Sequence, residues 1–353
     1  MGEVSRRTWP VRRRPAPASD DLPTDPFPAD PEDPPPPPRP RVTLAVVRLA
    51  ALGLALVLTI AITMVRLFVG GPPSVEELRA RAGVDGWSTL AIGVKDDQPG
   101  TAFRKPDGTW SGFDIDIAYM IAEDLGFRRG EVRFFAMESE DRARMQATDP
   151  GGKRVPVQLV IASYSITPDR AARPDVTFSQ PYLFTEQSVL TLAGHAKVST
   201  LDDLKGRDVC SLTTATSEKA PKEIGAIVHS RNRISECIED LRAERVDAVT
   251  TDAAILAGYK ARFPQEFDHW DLGLDTTEAW GVNVGENTDL ATLVDLTFYR
   301  SLKDPRDDRW ENAYDENLQS EVPANGRTPI AQARQPNVTK PDVREQPWED
   351  TIP

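Results

Sequence analysis

The sequence predicts an α/β body large enough for two lobes, preceded by one transmembrane helix. Between about residues 88 and 320, short apolar strand patterns alternate with helical patterns, as parallel α/β sheets require. A run from Leu49 to Val65 carries no charged residue. With its flanks, Val42 to Val69, it reaches membrane-spanning length. The 31 prolines of the 353-residue chain concentrate before residue 41 and after residue 320. That leaves roughly 230–250 residues for a folded body, enough for two lobes.

The elements follow in order. Residues 1–41 alternate Pro with Asp and Arg and include Pro34 to Pro38. This is polyproline or disorder, a solvated tail or a ligand for a proline-recognising partner. Residues 42–69 form the spanning helix, with Arg48 and Arg66 placed to snorkel. Val75 to Ala82 reads as a short helix in a stalk over 70–87. Strands are expected at Thr89–Val94, Val132–Phe135, Leu159–Ala162, Val189–Leu192, Arg207–Ser211 and Ala248–Thr250. Helices are expected at Ile115–Leu125, ended by Gly126, and at Leu201–Lys205, Ser217–Ile224, Cys237–Ala243, Asp252–Tyr259, Leu290–Leu302 and Trp310–Leu318. Residues 321–353 are polar and proline-bearing, and are expected to be disordered.

The net charge of −13 argues against a nucleic-acid surface. Cys210 and Cys237 are too few for a disulfide scaffold and lack zinc-site spacing. His195, His229 and His269 are scattered and do not complete a site. No metal and no cofactor is expected. A secretory signal would start nearer residue 1 with a shorter apolar core, and no cysteine follows the run to accept a lipid. Ser5-Arg6-Arg7 leaves a twin-arginine signal open, and a buried core helix is the soluble alternative. Seven arginines precede the span, favouring a cytoplasmic N-terminus. Counted close to the membrane, Arg39 and Arg41 face Arg66, Arg79 and Arg81, and the rule hardly discriminates.

Five segments in order carry a family resemblance over about residues 88–318: Ile92-Gly93-Val94-Lys95, Gly112 to Ala118 (GFDIDIA), Ser165 to Arg170 (SITPDR), Phe178 to Tyr182 (FSQPY) and Val246 to Asp252 (VDAVTTD). Together they resemble the extracytoplasmic solute-binding proteins for polar amino acids that feed ABC transporters. The glutamate-type binders of actinobacteria are the most similar subfamily, sharing Val209-Cys210 and Glu236-Cys237. The resemblance implies a periplasmic-binding-protein, venus-flytrap type II fold. Lobe 1 would comprise 88–188 and 276–320, and lobe 2 would comprise 189–275. It implies an extracytoplasmic binding domain with a Cys210–Cys237 disulfide; two buried free thiols are the alternative. No catalytic residue is expected. The partners implied are a free amino acid (glutamate, aspartate or their amides) and an ABC permease. An amino-acid sensor working through a membrane partner, or a dehydratase-like enzyme on the same fold, would suit the sequence less directly.

The resemblance also implies a binding set. Arg170 takes the α-carboxylate through two parallel hydrogen bonds; a surface ion pair is its ordinary alternative. Ser165 offers its backbone N–H and hydroxyl, and the Ser163 carbonyl accepts from the α-ammonium. Asp252 pairs that ammonium, although a helix N-cap would equally explain an aspartate there. Thr251 adds a side-chain contact. Thr216 lies in Thr213 to Ser217, a strand-to-helix turn whose N–H groups suit a carboxylate. Relatives carry glycine in this turn and this chain carries none. Ser139 to Arg142 matches a segment whose arginine meets an acidic side chain; Arg144 competes with Arg142 for that role. Gln98 and Phe103 belong to the first loop, where an aromatic is expected at the position of Asp96.

Overall fold

A computed structural model of the chain describes residues 43–68, 72–274 and 276–344. The expected tail 1–41 lies outside them. The chain divides into an N-terminal unit and a body beginning at Phe68.

The N-terminal unit contributes the helix Leu44–Phe68, 25 residues long. At 1.5 Å per residue it extends about 37 Å, more than the roughly 30 Å of a bilayer's hydrocarbon core. Within it, Leu44–Met64 is apolar enough to cross a membrane and buries nothing.

In the body, lobe 1 is built on a five-stranded sheet. Its centre, Leu90–Val94, pairs in parallel with Val132–Ala136 and Leu159–Val160. The hairpin Gln146–Thr148 and Arg154–Pro156 extends one edge. The helix Phe113–Asp124 covers the sheet and buries Phe113, Ile115, Ile117 and Ile121. Gly112, at its N-cap, has φ of 126°, and a Cβ there would lie 2.3 Å from the Thr101 carbonyl oxygen. Only glycine lets the loop pass so near.

Lobe 2 has Asp208–Leu212 in parallel between Ile227–Arg231 and Ala248–Asp252. The long strand Leu183–Leu192 enters from lobe 1 and runs antiparallel to both Ala248–Asp252 and Phe267–Asp271. The chain returns through Thr277–Trp280, which pairs antiparallel with Leu183 to Glu186. These paired crossovers form the hinge. The Cys210–Cys237 disulfide ties a central strand of lobe 2 to the helix Ile234–Arg242, with Cα atoms 5.5 Å apart. Closing that loop is worth about 3.5 kcal/mol in the chain-entropy account.

Several expectations are corrected. Val75–Ala82 is helical, but Leu78, Ala82 and Val84 are buried in the main core, so this segment belongs to lobe 1 and is not a stalk. Its Arg79 donates to the Leu125 carbonyl at 2.8 Å, and the Ala82 carbonyl accepts from Asn287. Nor are residues 321–344 disordered. Ile330, Val338 and Val343 are buried, and Gln332 N–H donates to the Phe184 carbonyl across the hinge. Sparse apolar residues suffice because the segment lies on a core that is already folded. The expected helices over 201–205 and 217–224 shrink to single turns at Leu201–Leu204, Thr216–Glu218 and Lys219–Glu223.

Candidate functional site

The strand ends and turns of the two lobes converge on one cleft. Lobe 1 supplies Gln98, Arg142, Ser163, Ser165 and Arg170; lobe 2 supplies Thr216, Thr251 and Asp252. Leu212, Ala215 and Ile255 complete the wall, and the lobes close so far that the cavity between them is only about 10 Å³.

Arg170 sits in the short helix Pro168–Ala171, capped by the Thr167 hydroxyl. Its Nη1 donates to the Ser165 carbonyl at 2.7 Å and its Nη2 reaches the Thr214 carbonyl of lobe 2 at 2.7 Å. Burial lowers its pKa. Arg142 is only 4% exposed. It donates from Nε to the Ser139 carbonyl and from Nη1 to the Ser163 carbonyl, both at 3.0 Å, while Nη2 is buried without a partner among the described residues. Burial, reinforced by Arg170, pushes Arg142 down to about 9. Both guanidinium groups lie against the Tyr164 ring, 4.6 Å and 4.7 Å from its centroid. Neither forms an ion pair among the described residues.

Asp252 ends the strand Ala248–Asp252 and precedes the helix Ala253–Arg262, yet its side chain makes no capping bond. Instead, Oδ2 accepts from the Trp280 indole at 2.6 Å. Desolvation, followed by the nearby Glu278, pushes its pKa up to about 7 against the pull of Trp280 and the two arginines.

Ser163 stands at φ 46°, in the left-handed region. Asp114 holds it there by accepting its N–H at 3.0 Å. The Ser163 hydroxyl donates to Gln98 Oε1 at 2.8 Å, leaving Gln98 Nε2 buried and unpartnered among the described residues. The site therefore presents two buried donors with no acceptor, at Arg142 and Gln98. Native interiors avoid leaving such groups unpaired, so the arrangement calls for an acceptor-bearing ligand. Thr214 adopts φ 61° in the turn where glycine is expected. The turn thus keeps the left-handed geometry without glycine.

Two expected residues lie elsewhere. Phe103 is packed under Arg262, 4.5 Å from its guanidinium, and does not line the cleft. It sits in an outer hairpin strand, Ala102–Arg104, beyond the reach of the pocket. Ser139 sits behind Arg142, its hydroxyl accepting from buried Lys95 Nζ at 2.9 Å. Arg144 is turned away, paired with Asp141. Sequence reasoning missed Tyr164, Trp280 and Asp114 as site residues. Asp114 falls inside the GFDIDIA segment and Tyr164 lies between Ser163 and Ser165, whereas Trp280 lies far from any quoted segment.

The carboxylates of Glu138, Glu140 and Asp141 approach one another, but Asp141 is already held by Arg144 and Arg154. A larger hollow on lobe 1 runs between Phe113–Asp124 and Arg309–Asn317. At its edges Arg309 pairs with Asp124 and Asn317 with Asp116.

Comparison with known proteins agrees with this geometry. Residues 90–264 match the bacterial extracellular solute-binding proteins, family 3. The chain is 33% identical over 214 residues to the glutamate-binding protein GluB of Corynebacterium efficiens, covering 58% of this chain and 70% of that protein. It is 32% identical over 176 residues to the ABC transporter glutamine-binding protein GlnH of Bacillus subtilis, covering 48% of this chain and 60% of that one. Among solved structures, an ancestral arginine-binding protein bound to glutamine superposes with a TM-score of 0.57 at 29% identity, over 65% of this chain and 98% of that one. A two-lobed body with its polar groups gathered at the cleft, in a sequence related to these proteins along most of their length, places this chain in the bacterial extracellular solute-binding proteins of family 3.

Proposed function

We propose that the chain is a membrane-anchored extracytoplasmic binding protein for an acidic amino acid, L-glutamate or L-aspartate, serving ABC-type uptake. The charge balance of the cleft carries this reading. Arg142 is buried and Arg170 half-buried, neither has an anionic partner among the described residues, and Asp252 is the one acid among the described lining residues. The three groups sum to one positive charge, and an acidic amino acid, with two carboxylates and one ammonium, brings one negative charge. Arg170 and Ser165 receive the α-carboxylate, Asp252 the ammonium, and Arg142 with Gln98 the side-chain carboxylate. Thr216 and Thr251 close the lobe-2 wall. The names of the GluB and GlnH relatives support an amino-acid ligand. The helix Leu44–Phe68 is the anchor, with the N-terminus cytoplasmic and the disulfide outside, in an oxidising compartment.

A thermal-shift panel of the twenty amino acids on the detergent-solubilised full chain tests the ligand. A ligand bound only by the folded state raises the melting temperature. L-Glutamate or L-aspartate should give the largest rise. A panel in which leucine or arginine leads would refute the assignment.

A further inference from the structure

We propose that the lobe-1 loop Lys95–Gly100 is the latch that holds the lobes closed, with Asp97 capping a lobe-2 helix in trans. This rests on the reading of the chain as a two-lobed amino-acid-binding protein.

The helix Ile234–Arg242 begins without a side-chain cap from its own N-cap residue, Arg233. Asp97 supplies one from the other lobe. Its Oδ2 accepts the Ser235 N–H at 3.0 Å and the Ser235 hydroxyl at 3.1 Å. A carboxylate at a helix start satisfies an orphan N–H and meets the positive end of the helix dipole. The neighbouring Asp96 pairs with Arg233 at 2.7 Å, also across the cleft. An aromatic is expected at that position, so a charged clasp stands where a ring would lie. The Asp97 carbonyl accepts from the Tyr259 hydroxyl. The Pro99 carbonyl oxygen packs so tightly on the helix Ala253–Arg262 that a Cβ at Gly258 would come within 1.9 Å of it.

The same loop carries Gln98, whose unmet Nε2 faces the ligand cleft. One short segment therefore touches the ligand at Gln98 and grips the opposite lobe on both sides of that residue. Asp97 itself does not line the cleft. It is a positioning residue, acting on affinity only through the fraction of molecules that are closed. Parting the lobes exposes the helix start to water, so the latch forms only on closure, and losing it should speed release more than it slows capture.

The test uses the full chain with L-glutamate as the probe and fluorophores on the two lobes to report closure. Asp97→Ala should weaken binding about five- to tenfold, the value of a lost helix cap, with the change in the dissociation rate. Asp97→Asn still accepts both bonds and should recover most of the affinity. Gly258→Ala removes no polar group but intrudes on the Pro99 carbonyl, and should hold the lobes apart. Ligand-free far-ultraviolet circular dichroism should be alike in wild type, Asp97→Ala and Asp97→Asn, since all three keep the fold of each lobe. Wild-type release rate and closure in Asp97→Ala would overturn the latch, as would equal losses in Asp97→Ala and Asp97→Asn. A wild-type chain that binds no L-glutamate would overturn the parent reading instead. The latch is then judged on the ligand-free protein, where Asp97→Ala must widen the inter-lobe distance, and an unchanged distance overturns it.

Discussion

The indole N–H of Trp280 donates to Asp252 Oδ2 at 2.6 Å, so a residue of the hinge orients the one acid among the described residues that line the cleft. Trp280 ends the returning crossover and is fully buried. The bond removes Asp252 from the capping role its position suggests and turns one oxygen of the carboxylate to the hinge. Trp280→Phe should keep most of the packing and lose the donor. Asp252 should then titrate higher still, and affinity for L-glutamate should fall about tenfold, the price of a hydrogen bond to a charged group. Calorimetry at pH 7 checks this, and an unchanged affinity would contradict the orienting role.

Asp252 also sets a pH dependence. Burial raises its pKa to about 7 in the closed, empty site. A raised carboxyl favours the protonated closed form, a stabilisation complete below the unfolded value near 3.8 and lost as pH rises through 7. An ammonium ligand needs the ionised form. Binding should therefore release a proton below pH 7, and affinity should drop by up to about tenfold per pH unit as the pH falls further. Above pH 7.5 the affinity should be flat with respect to this group. Calorimetry at pH 6 in two buffers of different ionisation enthalpy measures the proton. No release at that pH would show that Asp252 does not meet the ammonium.

Arg142 should control selectivity. Its burial, its unpaired Nη2 and its lack of an ion pair among the described residues make it costly in the empty site. An acidic side chain relieves that cost fully, an amide partly and an apolar side chain not at all. Glutamate should bind best, glutamine less well and leucine not measurably. Arg142→Ala should narrow the gap between glutamate and glutamine by weakening glutamate most. Equal losses for the two ligands would leave Arg142 outside the recognition of the side chain.

Glu321 offers a stability test away from the ligand. It lies buried with Oε2 unpartnered among the described residues, and burial pushes it up to about 8. Its folded form is favoured fully below the unfolded value near 4.5, and that advantage is lost as pH rises through 8. Glu321→Gln should stabilise the protein at pH 8 by about 1 kcal/mol or more and change little at pH 4.5. Melting curves at both pH values check the sign. Destabilisation at pH 8 would mean that the ionised carboxylate is held by a partner.

The alternation of apolar strands and helices was legible because each buries a periodic face, and the motifs carried Arg170, Ser163, Ser165 and Asp252 into one cleft. The sequence shows the crossover strand as too short, since Thr185, Glu186 and Gln187 are polar although Thr185 and Gln187 are buried, and its pairing is long-range. The packing of residues 321–344 was illegible for a related reason. Their few apolar side chains mean little until the hinge strands beneath them exist. Phe103 fitted the expected aromatic by type, but strand pairing aims it at Arg262. Trp280 could not be placed, because only the folded hinge brings it to Asp252.

Titration calorimetry of L-glutamate into the wild-type full chain and into Arg170→Ala tests the central claim most directly. Arg170 is the charged group placed to take the α-carboxylate, with Ser165 beside it. The wild type should bind one L-glutamate per chain, and Arg170→Ala should show no measurable binding while melting at a similar temperature. Wild-type affinity in Arg170→Ala, or no heat of binding from any amino acid in the wild type, would contradict the account.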